Sequence, residues 1–227
     1  LSGGTVLNTG FIQGGAGGSA GSSGSGSGVA GIVAFGNVAV TNAGNVSGGL
    51  GGDGATRANA IDFSEGGNTL TLQSGYSFTG NVVSTSGAAN GGDTLVLGGD
   101  ANPSGAFHVS NIVASLPASY AGPQYVGFAN FAQTGTSTWR PTGNGSAGQN
   151  WAIADGTLQG DANTFAGNIS FAPASPASTP GVAVSNPTTS SIPASSGSAR
   201  LNPFDAIATT TSLAATPKRS RYSRRAC

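Results

Sequence analysis

The chain has one cysteine, Cys227, and it is the last residue, so no intrachain disulfide can hold the fold. Charge is scarce too: 7% of residues are charged, where roughly 25% is ordinary. Low charge argues against the highly charged class of disordered chain, which needs strong net charge and little apolar content. Methionine is absent and the first residue is Leu1, so the expectation is a fragment, or a chain whose start has been removed. No signal segment is in view, which says nothing about export. No apolar run approaches the ~18 residues of a transmembrane helix. Long helices are also disfavoured, because 40 of the 227 residues are glycine and each interior glycine costs about 1 kcal/mol relative to alanine.

What remains is Val, Ile, Leu and Phe in short runs, bounded by Gly, Asn, Ser and Thr, which is how strands and turns read. The composition therefore predicts an all-β chain. Its formal net charge of zero conceals a split. Up to Phe171 the acids are Asp53, Asp62, Glu65, Asp93, Asp100, Asp155 and Asp161, and the bases are Arg57 and Arg140. Seven against two leaves five negative charges on the body. The bases gather at the end, in Lys218, Arg219, Arg221, Arg224 and Arg225.

The body repeats. Val6-Leu7-Asn8-Thr9-Gly10-Phe11-Ile12-Gln13-Gly14-Gly15 returns as Val40-Thr41-Asn42-Ala43-Gly44-Asn45-Val46-Ser47-Gly48-Gly49. A looser copy keeps Leu72, Gly75, Phe78 and Gly80, and Asn68–Leu72 is echoed by Asp93–Leu97. The return distance drifts between roughly 25 and 34 residues, within the solenoid range. Alternation turns Val38 and Val40, Leu70 and Leu72, and Leu95 and Leu97 inward together. Coils stacked at about 4.8 Å would line these up as ladders. Asn8 and Asn42 fall where a tight corner is expected; two copies leave an asparagine ladder open. Residues 14–31 are nearly pure Gly, Ser and Ala, either a loose insertion or a narrow coil with little core. The insertion is preferred, because so little apolar area does not offset backbone entropy of about 1–2 kcal/mol per residue.

Several of these segments resemble a known family. Val40–Gly49, Gly91–Gly99, Ala118–Phe128 with Thr134–Trp139, and Trp151–Gly160 are similar, in this order, to rungs of bacterial autotransporter passengers (type V secretion, with autotransporter-associated β-strand repeats). The resemblance covers about Thr5 to Phe171. It implies a right-handed parallel β-helix secreted to the cell surface through a C-terminal β-barrel translocator of the same polypeptide. Two departures stand out. Arg140-Pro141 lies where the family continues a strand, and proline removes a ladder donor there. No alternating barrel segments follow Phe171.

The organisation expected is thus a β-solenoid passenger fragment over 1–171 and a Pro/Ser/Thr/Ala tail with a basic end over 172–227. Such a tail cannot build a core and reads as disordered. Its basic end could be a nucleic-acid or membrane patch; an altered reading frame or a premature end is the reading preferred, and no nucleic acid is expected as partner.

Motifs that could carry chemistry have plainer readings. Gly26-Ser27-Gly28-Val29-Ala30-Gly31 satisfies G-x-G-x-x-G, but a dinucleotide site needs a helix after it, and Ile32–Phe35 is strand-like. Gly48–Thr56 fits most of a calcium nonapeptide, and Asn90–Leu95 is a second isolated hint. Calcium needs six to eight oxygens from successive turns, and exposed Asp on glycine-rich turns is the reading taken. His108, the only histidine, alternates with Phe107 and Val109 and should face outward. Asp62 and Glu65, with Asp53 and Arg57 nearby, could form a glycoside-cleaving pair or be solvated turn charges. Tyr120, Tyr125, Phe128, Phe131, Trp139 and Trp151 could stack sugars, or pack as a closing cap. No residue is assigned to catalysis, cofactor binding or metal ligation, and no cofactor is expected. The function expected is a structural or adhesin-like surface passenger and monomer, meeting host-surface, matrix or glycan ligands. The alternatives are a glycan-active enzyme on the same scaffold and a calcium-ordered secreted repeat protein.

Overall fold

The computed structural model describes residues 1–19, 24–100, 105–116 and 122–171 in full, and the backbone of Gly181–Asn186, Thr188–Pro193 and Ser198–Ala199. Strands β1 (Ser2–Asn8) and β2 (Phe11–Gln13) open the first coil, and β3 (Ile32–Asn42) and β4 (Asn45–Ser47) the second. The third has β5 (Ile61–Ser64), β6 (Thr69–Leu72) and β7 (Ser77–Thr79). β8 (Val82–Ser84), β9 (Thr94–Leu97), β10 (Ala106–His108) and β11 (Ile112–Val113) follow. The last full coils hold β12 (Tyr125–Val126), β13 (Asn130–Gln133), β14 (Thr138–Thr142), β15 (Trp151–Ile153), β16 (Thr157–Gly160) and β17 (Ile169–Phe171).

These strands pair in parallel with the strands of neighbouring coils, so the molecule is a parallel β-solenoid, as the repeats predict. One ladder shows the register: Val6, Val40, Leu70, Leu95, Phe131, Trp151 and Ile169 stand over one another. The chain returns to this ladder after 34, 30, 25, 36, 20 and 18 residues. From β6 to β17 the strands of this ladder keep three or four residues while the loops vary, and the later coils lie outside the span read from the repeats. Val38, Val40, Leu70, Leu72, Leu95 and Leu97 all point inward and are at most 1% exposed. Burial of such side chains contributes roughly 1.5–3 kcal/mol each.

A corner joins the first two faces. In β3 it falls at Gly36 and Asn37, both at positive φ (59° and 54°), so a single strand passes through both faces. The next coils place Gly66-Gly67 and Gly91-Gly92 at the same corner, again at positive φ. Asn37 N–H bonds Gly66 O (3.2 Å) and Gly67 N–H bonds Gly92 O (3.0 Å), so the corners stack like the strands. The second corner holds the asparagine ladder that the sequence left open. Asn8 and Asn42 are buried, and each Oδ1 accepts the N–H two residues on, from Gly10 (3.1 Å) and Gly44 (3.2 Å). Asn8 Nδ2 donates across to Asn42 Oδ1 at 2.8 Å. The ladder ends there, because Leu72 and Leu97 take the next two rungs.

The glycine-rich stretch is not the loose insertion that its composition suggests. Gly14 and Gly17 N–H bond Ser47 O and Leu50 O; Gly26 and Val29 N–H bond Gly18 O and Gly15 O; Gly49 and Gly52 N–H bond Val29 O and Gly26 O. Donors recur every third residue, the repeat of a polyproline II-like chain. Three extended segments therefore pack backbone to backbone. The expectation counted only apolar area; here main-chain hydrogen bonds and very close approach hold the segment instead. A Cβ on Gly52 would come within 1.6 Å of Gly18 O.

Two further differences concern the late coils. Pro141 is buried inside β14, opposite Phe107 of β10, yet the pairing of β14 with β16 covers only Thr138 and Trp139. The strand is kept on one side and its partner is lost on the other. Strand pairing also passes the boundary set at residue 171: β18 (Gly181–Asn186) pairs in parallel with β16, β19 (Thr188–Pro193) folds back on β18, and β20 (Ser198–Ala199) pairs antiparallel with β17. The rest of 172–227, and with it most of the expected disordered tail, lies outside the described residues.

Leu70→Ala at the centre of the ladder is expected to lower stability by about 2–5 kcal/mol in urea unfolding. Gly52→Ala should lower it by about 1–3 kcal/mol through overpacking. Gly18→Ala, with nothing within 4 Å of the added carbon, should stay within about 0.5 kcal/mol. Equal effects at the two glycines would refute the packed glycine layer.

Candidate functional site

Most carboxylates of the body are engaged by nearby turns. Asp53 is exposed, and its carboxylate accepts Ala55 N–H (2.9 Å), Thr56 N–H (2.9 Å) and the Thr56 hydroxyl. These bonds, the Thr56 hydroxyl first, hold its pKa below the usual 3.8. The turn is therefore fully held above the ordinary carboxylate range and loosens as pH falls through the lowered pKa. Asp100 is likewise lowered, by Thr136 N–H (2.9 Å) and then the Thr136 hydroxyl (3.1 Å). Asp62 accepts from Asn59 Nδ2 at 2.7 Å. Glu65 is exposed at a left-handed corner (φ 65°). Arg57 donates to Gly48 O (2.8 Å) and the Ser47 hydroxyl (3.3 Å), not to either of these acids.

Asp93 departs from its expected place on an exposed turn. It is fully buried just inside the first corner. Its Oδ1 accepts both Asn68 N–H and Asn68 Nδ2 (2.9 Å each), and its Oδ2 accepts the Ser86 hydroxyl (2.8 Å). Asn68 Oδ1 in turn accepts Val38 N–H at 3.0 Å. Three coils are thus linked by one polar line, and Asp93 is structural: it satisfies donors that would otherwise be buried without partners. Among the described residues, no three His, Cys, Asp or Glu gather where a metal ion could be held.

Gly26–Gly31 leads into β3, not into a helix, and Gly28 packs against the backbone of Gly49. His108 faces outward as alternation predicts, with Phe107 and Val109 buried, and its Nδ1 lies 2.9 Å from the Thr142 hydroxyl. The aromatics are neither a surface platform nor a terminal cap. Phe131, Trp151, Phe107, Tyr125 and Phe78 are all buried and touch in sequence, with ring centroids 5.4–6.4 Å apart. Tyr76 continues the line to Trp139 and is half-buried; burial pushes its phenol up to about 12. Tyr120 lies outside the described residues.

Two surface clefts occur where the third face is interrupted. β2–β4–β7 and β10–β14–β16–β18–β19 are separate sheets, so no ladder joins β7 to β10. The gap is a cleft of about 330 Å³ lined by Tyr76, Ser77, His108, Asn111, Pro123 and Tyr125 among others. A second cleft, also about 330 Å³, opens between β14 and β16 beyond Trp139, where Pro141 lies. Arg140, Thr142, Gln159 and Asp161 line it. Sequence reading missed both, although the Arg140-Pro141 departure was the visible signal for the second.

Asp93→Ala is expected to lower unfolding stability by about 3 kcal/mol, because it strands buried donors. Asp93→Asn should do less harm, since Asn keeps one acceptor oxygen and the Ser86 hydroxyl can turn to accept from its NH₂. Equal losses in urea titrations would contradict this role. No helix of the described residues is long and apolar enough to cross a membrane. No family model, no curated protein and no solved structure matches the chain.

Proposed function

We propose that this chain is part of a rod displayed on a bacterial cell surface, a passenger of the autotransporter type, which acts by presenting its outer faces and not by catalysis. The observation that carries this reading is the in-register parallel coil. Each rung is covered by the next, so cohesion is a sum of neighbour contacts. A chain of that kind can fold from one end as it emerges, without disulfides to form. The rung motifs that resemble passengers supply strands of this coil: Val40–Gly49 contributes the end of β3 and all of β4, Gly91–Gly99 contributes β9, and Trp151–Gly160 contributes β15 and β16. The engagement of Asp53, Asp62, Asp93 and Asp100 in hydrogen bonds within the fold favours a scaffold over a carboxylate-pair hydrolase. Its partners in this reading are host-surface, matrix or glycan ligands, and its own β-barrel in the longer protein.

The test is surface labelling. Antibodies raised against residues 1–171 should stain intact, unpermeabilised source cells, and brief protease treatment of those cells should remove the signal. Staining that needs permeabilised cells would end the proposal.

A further inference from the structure

We propose that the two clefts are adjacent subsites for one extended neutral saccharide, lying across β10 and β14 on the outer third face. The inference deepens the surface-rod reading and rests on it for access to such a ligand.

The position of the clefts comes first. The second face runs unbroken from β1 through β3, β6, β9, β13 and β15 to β17, whereas the third face opens twice, on either side of β10 and β14. Two strands separate the openings, which places their centres about 10 Å apart, two strand spacings. Each opening has about 330 Å³, at the lower end of small-ligand sites. A ligand filling both must therefore be a chain of small units, not one compact body.

Chemistry narrows the ligand further. The first cleft has apolar walls in Tyr76 and Pro123, with Ser77, His108 and Asn111 as polar groups. This mixture suits a ring with an apolar face and hydroxyl edges. The second cleft is polar and carries charge of both signs. Arg140 is exposed and brings a planar fork of donors, and Gln159 adds an amide. Asp161 Oδ1 already accepts Thr164 N–H (2.8 Å) and the Thr164 hydroxyl (2.9 Å), which fixes the carboxylate with Oδ2 left for a ligand donor. Hydroxyls both donate and accept, so they satisfy Arg140, Gln159 and Asp161 together. A polyanion would meet Asp161 and a body carrying seven acids against two bases, so the ligand is neutral. The bond of 2.9 Å between His108 Nδ1 and the Thr142 hydroxyl joins the two rims and orients both side chains.

The experiment titrates the full chain with neutral gluco-, manno- and N-acetylglucosamine-based oligosaccharides from di- to hexasaccharide. Heparin-derived oligosaccharides serve as the polyanionic arm. Binding is read by calorimetry and by tryptophan fluorescence, since Trp139 lies 6.1 Å from Tyr76. At least one neutral series should saturate and tighten with length. Arg140→Ala and His108→Ala should each weaken it roughly tenfold, the scale of one hydrogen bond to a charged or well-oriented group. Both side chains are exposed, so melting curves should be unchanged. The proposal is overturned if no neutral saccharide saturates, if only heparin fragments bind, or if binding survives both substitutions. A chain found on the cell surface that binds no sugar defeats this inference alone. Sugar binding by a chain that stays inside cells defeats the display reading alone.

Discussion

Parallel strands must lie about 4.8 Å from their neighbours if each coil is to bond the next, and that spacing governs the rest of this molecule. It keeps each corner close to the one above, so the first corner turns on a pair of residues in left-handed backbone. Gly66 shows the constraint directly: it sits at φ 75°, and a Cβ there would lie 1.7 Å from Ala89 O. A glycine content far above the ordinary share is therefore an outcome of stacking, not a sign of looseness. The same logic explains the polyproline II-like layer, where three segments of the chain approach more closely than side chains permit.

Stacking also places like residues over like, and this decides where polar groups can be buried. An asparagine inside a corner can serve its own turn through Oδ1 and the next coil through Nδ2, as Asn8 does. Asp93 does the equivalent at the first corner with Asn68 and Ser86. These lines satisfy buried backbone and side-chain donors and bond one coil to the next. Aromatic rings take over in the late coils, where Trp139 and Trp151 are fully enclosed and the coils shorten.

Function, in this view, depends on where stacking fails. The third face breaks between β7 and β10 and again beyond Trp139, and both breaks leave room for a small ligand. Pro141 lies at the second break and has no N–H for a ladder bond.

The amino-acid sequence determined the β class, the coil repeat, the inward leucines and valines, the outward His108 and the asparagine corners, because each follows from alternation or turn chemistry within a few residues. It could not show that Asp93 is buried, since a Gly-Gly-Asp turn looks the same whether the next coil covers it or not. Nor could it show that residues 14–18 and 26–31 are packed, because their partners, 47–52, lie some twenty to thirty residues on and the contact is made largely by backbone. The clefts belong to tertiary structure for the same reason: a gap between strands is a relation between coils, and local pattern carries no record of it.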